Sequence, residues 1–319
     1  MKRFALRLGL LVTIMVLVVF GMHVVTIVLS QRRVNSTYSM DEGCDVLVIG
    51  SSDAGCSIVE GKEFHNRVAW TSMTTLPSIL IRLKEFERRN QLNHVKTLIV
   101  PFSVKSLSIH TDVVLSERYY SEFPISWRYY RDYPGSVMGL VKYAATHLRF
   151  PMRFSISFES VPIRKSLVDR SVKERQEYFD KATGLAKNMI LDGALIDDWE
   201  NSVKASISEM HHICRKYNIR LVFYQAPFYE VFRKSVPIVS VEKERAIVNW
   251  MRQVGIEYAE NFCKLDEKDY YDWVHLTSEG ALKFTRCMYK ALNIPVIEVA
   301  SAMKKVTISI SKWKSLARV

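Results

Sequence analysis

Short apolar runs alternate along this chain with longer segments of helical spacing. Val46, Leu47, Val48 and Ile49, with Cys44 upstream, form a run that predicts a strand buried on both faces. The run leads into Gly50-Ser51-Ser52-Asp53, which predicts a sharp turn opening a short helix from about Ala54. A second strand is expected over residues 67–71, a helix with its charges on one side over 76–90, and a third buried strand over 95–102. Helical patterns return at 171–190 and 197–217, a strand at 219–225, a helix at 240–254 and a short edge strand at 256–258. A last helix is expected from Ser278 to about Leu292. Strands alternating with helices in this way predict an α/β fold, a three-layer doubly wound parallel sheet.

Two stretches depart from the alternation. Residues 8–30 carry no formal charge, and at 1.5 Å per residue they are long enough for a ~30 Å hydrocarbon core. The expectation is one N-terminal transmembrane helix within an anchor of residues 1–30, then a polar connector of residues 31–43. Within the α/β domain of residues 44–295, an insertion at about 103–165 interleaves Tyr119, Tyr120, Phe123, Trp127, Tyr129, Tyr130 and Tyr133 with Arg118, Arg128 and Arg131. It reads either as a helical subdomain with its own small core or as a lid or groove for sugars, because aromatic faces stack on sugar rings and Arg pairs with anions. A segment at 145–154 has the amphipathic pattern of a helix lying on a membrane. Residues 296–319 form a basic tail.

Composition adds limits. The chain has 319 residues, of which 48% are hydrophobic and 24% charged, enough for a sizeable core. A formal net charge of +12 fits an ordinary basic surface or affinity for anionic lipid or polymer. The basic residues are scattered, which argues against nucleic acid as a partner. The five cysteines (Cys44, Cys56, Cys214, Cys263, Cys287) include no Cys-x-x-Cys pair, and His211 and His212 point to different helix faces. No metal site or cofactor is therefore expected. Cys44 and Cys56 are expected as buried thiols in the first strand and helix, and Cys263 and Cys287 as a pair able to bridge in an oxidising compartment.

The candidate chemistry sits at the two ends of the domain. A strand-to-helix turn can hold a small nucleophile above the carboxyl edge of a parallel sheet, which places Ser52 there. The plain alternative is a helix start capped by Ser51, Ser52 or Asp53. Far downstream, Asp272-Trp273-Val274-His275-Leu276 sets an Asp three residues before a His, so that one loop can present both to a single serine. Through Val48-Ile49-Gly50-Ser51-Ser52 and Tyr271-Asp272-Trp273-Val274-His275-Leu276-Thr277-Ser278-Glu279-Gly280-Ala281 the chain resembles the SGNH (GDSL-like) hydrolase superfamily. Within it, the resemblance is to membrane-anchored bacterial envelope proteins related to the teichoic acid D-alanine transfer protein and to alginate O-acetylation proteins.

That resemblance implies a flavodoxin-like sheet of SGNH-hydrolase type and acyl chemistry with Ser52 as nucleophile, His275 as base and Asp272 as its orienting carboxylate. It implies the backbone N–H of Ser52 as one oxyanion donor, with a glycine after the second strand and an asparagine after the third as the others. Thr71-Ser72-Met73 and Ser103-Val104-Lys105-Ser106 supply neither, which leaves Ser106 or Lys105 as substitute donors; the Asp that usually precedes the serine is Ser51. The expected setting is the extracytoplasmic (periplasmic) face of the inner membrane. The expected partners are an envelope glycan or acylated carrier and a membrane-bound O-acyltransferase. Two classes of function stand: an acyl esterase or acyltransferase, and a non-catalytic scaffold of the same fold.

Overall fold

A strand whose side chains are apolar in every direction needs covering on both faces, and the sheet is assembled around this demand. The structure, a computed structural model, describes residues 38–41, 43–70, 75–107, 166–191 and 197–297, with scattered helical positions between residues 4 and 21. Five strands, β1 (Val46–Gly50), β2 (Asn66–Trp70), β3 (Thr97–Phe102), β4 (Arg220–Gln225) and β5 (Glu257–Ala259), form one sheet in the order β2-β1-β3-β4-β5. All four pairings are parallel, with Val48 opposite Val68 and Ile99, and Ile99 opposite Val222. This is the flavodoxin-like order of a doubly wound sheet.

Period-two alternation divides the sheet's side chains between two cores. Leu47, Ile49, Leu98, Val100, Phe102, Leu221 and Phe223 face one side. There they meet α2 (Leu76–Arg88) through Ile79, Leu83 and Phe86, α4 (Asp197–Lys216) through Val203, Ile207 and Met210, and α6 (Ile238–Gln253) through Ile247 and Met251. Val46, Val48, Ile99, Val222 and Tyr224 face the other side, against α1 (Ser52–Ser57), α5 (Glu230–Ser235) and α7 (Ser278–Ala291), through Ala54, Phe232, Phe284 and Met288. The remaining helix, α3 (Val172–Leu191), sends Phe179 to the ring of Trp273 at 5.7 Å. The expected elements are present to within a residue or two, and α5, which follows Pro227, was not expected.

Three readings need correction. Residues 38–41 are not merely a connector: Tyr38 is buried, its ring 5.1 Å from that of Phe86, and the Met40 N–H donates to Gln91. Cys44 lies ahead of β1 rather than in it. Neither Cys44 nor Cys56 is fully buried. The anchor over residues 8–30, the amphipathic segment at 145–154 and the insertion beyond Leu107 fall wholly or largely outside the described residues, as does the tail beyond Ile297. Among the described residues no helix is long and apolar enough to cross a membrane.

The chain turns away from β1 in one direction to β2 and in the other to β3, so a crevice opens beyond the carboxyl ends of β1 and β3. Two glycines let backbone close in there. A Cβ at Gly50 would stand 2.6 Å from both the Ala54 Cβ and the Pro101 Cγ, so the absence of one allows α1 to fold tightly over the strand end. At Gly280, in the first turn of α7, a Cβ would stand 2.1 Å from the Asp269 carbonyl oxygen. That carbonyl accepts the N–H of Thr277 at 2.9 Å, which fixes the start of α7 against residues 266–270. Gly280→Ala should therefore cost about 1–3 kcal/mol by overpacking, visible as a drop of several degrees in thermal denaturation. The exposed neighbour Ser278→Ala should change stability by no more than ~0.5 kcal/mol. Equal behaviour of the two variants would show that helix and loop separate freely.

Candidate active site

The turn after β1 owes its shape to Ser51. Its backbone is extended, and its hydroxyl accepts the N–H of Asp53 at 3.2 Å, so Ser51 is the helix cap and Ser52 the first helical residue. The Ser52 side chain is thereby left free of capping. Its Oγ lies 3.0 Å from His275 Nε2.

His275 sits in a loop tied at many points. A bridge between Tyr270 and Leu276 closes its base, and the Tyr271 N–H donates to the His275 carbonyl at 2.9 Å. The Tyr229 N–H donates to the Trp273 carbonyl at 3.0 Å, and the Trp273 indole N–H donates to the Tyr178 carbonyl. The Tyr229 ring also packs 5.3 Å from those of Tyr270 and Trp273. Thr277, at the loop's end, caps α7 by accepting the Gly280 N–H at 3.1 Å.

Within this frame His275 Nδ1 lies 2.8 Å from Asp272 Oδ2, and Asp272 Oδ1 accepts the N–H groups of Val274 and His275, both at 2.9 Å. Burial pushes the Asp272 carboxyl up. The hydrogen bond and charge of His275 and the two backbone donors outweigh that and hold it below the usual carboxylate range. An ionised Asp272 makes Nδ1 the donor, so neutral His275 presents the lone pair of Nε2 to the Ser52 hydroxyl. The side chains of His275 and Asp272 are only 21% and 17% exposed. The arrangement can pass the proton of Ser52 to an imidazole whose positive form is stabilised from behind.

Beside the serine stands a pair that the sequence did not announce. Asp53 Oδ1 lies 2.6 Å from Lys105 Nζ, with side chains 6% and 19% exposed. The pair fastens the turn after β3 (Val104–Leu107) onto α1. Lys105, expected only as a substitute donor, is thus engaged with a carboxylate. Ser106 accepts the Ser103 N–H at 3.2 Å, which leaves its own proton without an acceptor among the described residues. Residues 71–74, the expected place of a glycine donor, are outside the described residues. A second unannounced group is Arg170, which donates to the Tyr271 carbonyl at 3.0 Å. Nothing in the pattern around residue 170 distinguishes it from a solvated charge.

All five cysteines are free. Burial and then the neighbouring Cys287 thiol push Cys263 up to about 12.

No protein-family model and no curated protein matches the chain. Among solved structures it is similar to a protein from Bacteroides fragilis assigned as an acylhydrolase, at 10% identity and a TM-score of 0.42, over 82% of this chain and 95% of that one. It is similar to the same degree, 10% identity and a TM-score of 0.42, to a GDSL-like lipase from Bacteroides thetaiotaomicron, over 83% of this chain and 97% of that one.

The depressed Asp272 carboxyl has a consequence for stability. A carboxyl with a lower pKa folded than unfolded contributes fully above the unfolded value of about 3.9, and the contribution is lost as pH falls through the folded value. Wild type should therefore exceed Asp272→Asn in stability at pH 5 and above, and chemical denaturation should show the gap closing toward pH 2. A gap unchanged down to pH 2 would mean that His275 and the loop N–H groups do not hold a carboxylate there.

Proposed function

We propose that this chain is a membrane-tethered serine acyl esterase or O-acyltransferase of SGNH type. In this reading it acts on a cell-envelope polysaccharide or lipid-linked glycan from the extracytoplasmic side of the cytoplasmic membrane. The observation that carries the reading is the hydrogen-bonded series Ser52–His275–Asp272 at the carboxyl edge of a parallel sheet. The membrane part rests on the uncharged residues 8–30, and the envelope part on the resemblance of the two end motifs.

In the reaction Ser52 Oγ attacks an acyl carbonyl while its proton passes to His275 Nε2. The imidazolium, stabilised by Asp272, then gives that proton to the departing alcohol, leaving an acyl group on Ser52. Water, or a sugar hydroxyl in the transferase case, attacks the acyl-serine with His275 again as base. Its proton returns to Ser52 through Nε2, and free acid or a new ester leaves. A membrane-bound O-acyltransferase is the natural supplier of acyl groups on this scheme.

A second reading, a scaffold that binds glycan or the acyltransferase without catalysis, is favoured by one observation. The turn after β3 directs Lys105 to Asp53 and the Ser103 N–H to Ser106, so two of its donors are engaged internally.

Hydrolysis of an activated acetyl ester separates the two. The anchor-free protein should turn the ester over slowly, and Ser52→Ala should abolish it while leaving the denaturation curve in place. His275→Ala should lose about 10²–10⁴-fold, the usual worth of a positioned base. Turnover that survives Ser52→Ala, or a wild type that neither hydrolyses the ester nor takes up a serine-reactive fluorophosphonate, would leave the scaffold standing. Full-length protein should also resist carbonate extraction from membranes. Its release as a shortened soluble chain would remove the tether.

A further inference from the structure

Arg170 lies where the chain enters α3, and its surroundings are unusual for a tie between loops. Its guanidinium stands 4.0 Å over the centroid of the Tyr178 ring and 4.8 Å over that of Tyr271. One nitrogen donates to the Tyr271 carbonyl at 3.0 Å, while Nε is buried without a hydrogen-bond partner. A guanidinium offers five N–H donors in a planar fork suited to carboxylate or phosphate oxygens.

No carboxylate answers this charge among the described residues. The acids of the first turns of α3 are turned elsewhere: Glu174 accepts from the N–H and hydroxyl of Ser171, and Glu177 pairs with Lys173. Glu267 pairs with Arg175, and both oxygens of Asp272 are held by His275 and the loop N–H groups. The Tyr178 and Tyr271 side chains interact with the guanidinium, but neither supplies a carboxylate, and the buried Nε keeps a donor for an anion. Its place is fixed relative to the candidate nucleophile, because Tyr271 immediately precedes Asp272. The electrostatics agree. The Arg170 guanidinium, against burial and with the Tyr271 hydroxyl, holds the Tyr178 phenol below its ordinary value, while the Asp272 charge acts on the same phenol in the opposite sense.

We propose that Arg170, framed by Tyr178 and Tyr271, is an anion subsite beside the Asp272–His275 loop, so that the substrate carries a phosphate or carboxylate near its ester. The proposal rests on the triad reading for its substrate and on its own geometry for the anion. Arg170 would hold the anion through Nε, the donor left without a partner, beside the two rings.

Two measurements test it. In the first, inorganic phosphate and, in a separate arm, acetate are titrated against hydrolysis of 4-nitrophenyl acetate at constant ionic strength. At least one anion should inhibit by raising KM, and Arg170→Gln should weaken that inhibition about tenfold or more, as expected for losing a charge-assisted pair. Arg170→Lys, a point charge without the fork, should fall between. The arm that inhibits names the anion. A residue that only positions the Tyr271 carbonyl would instead lower kcat and leave the inhibition constant where it was, and that outcome overturns the subsite. The second measurement needs no turnover. In Ser52→Ala protein the same anion should perturb the tyrosine absorbance near 295 nm on an alkaline titration, and Arg170→Gln in that background should abolish the effect. Anion binding without ester hydrolysis would retain the subsite and remove the enzyme reading. The absence of any anion effect in either protein would remove the subsite alone.

Discussion

The carbonyl oxygen of Asp269 is where the downstream half of the site is fastened. It accepts both the N–H and the hydroxyl of Thr277, at 2.9 and 3.2 Å, and it lies so close to Gly280 that no side chain fits between. The Asp269 carboxylate in turn accepts the Asp266 N–H at 2.8 Å and meets Lys283 at 2.7 Å, one turn further along α7. The loop carrying Asp272 and His275 is suspended between these points and the Tyr270–Leu276 bridge. From α7 the connection runs on to the nucleophile helix: the Val59 N–H donates to Thr285 Oγ1 at 2.9 Å, and that hydroxyl is within 3.4 Å of the Ser57 carbonyl. A 3.0 Å contact between residues 52 and 275 thus rests on a short series of hydrogen bonds, each with a backbone partner except the Lys283–Asp269 pair. A contact held from several points tolerates little misplacement.

The buried carboxylates around Ser52 are each paired. Asp53 is nearly buried, and Lys105 answers it; Asp272 is mostly buried, and His275 with two N–H groups answers it. Even the buried Tyr224 hydroxyl finds Ser57 Oγ at 3.0 Å. A buried charge left alone costs several kcal/mol, so such pairs fix which neighbours a segment can have. That is how the turn after β3, from another part of the chain, is held against the turn carrying Ser52. Arg170 has no carboxylate partner among the described residues, and its Nε has no hydrogen-bond partner.

The sequence showed those features that depend on periodicity or on a local motif. β1 and β3 were legible because strands covered on both faces must be apolar throughout, and Leu47 and Val48 cannot be told apart by polarity although they enter different cores. Ser52, Asp272 and His275 were legible as candidates because a strand-to-helix turn and an Asp-x-x-His loop are local patterns, and the fold brings the three together. Lys105 and Arg170 were not legible in their observed roles. Each gains its meaning from a partner across the fold, 52 residues away for Lys105 and 101 for Arg170, and a lone basic residue carries no record of that partner. The short α5 escaped for a simpler reason: six residues after a proline-containing turn give too little periodicity to register.

Position 51 shows how the local and the long-range constraints meet. An aspartate there would cap α1 as well as Ser51 does, since either oxygen can accept the Asp53 N–H. The difference lies in charge. An aspartate at 51 would stand two residues from Asp53 in a position only 8% exposed, with Lys105 the one cation paired there among the described residues. Two carboxylates sharing one ammonium would repel, and one would be driven to take up a proton. Serine keeps the cap and leaves Lys105 to Asp53 alone. The serine at 51 and the Asp53–Lys105 pair are therefore one solution. The negative charge beside Ser52 thus sits in the first turn of the helix, where it anchors the turn that follows β3.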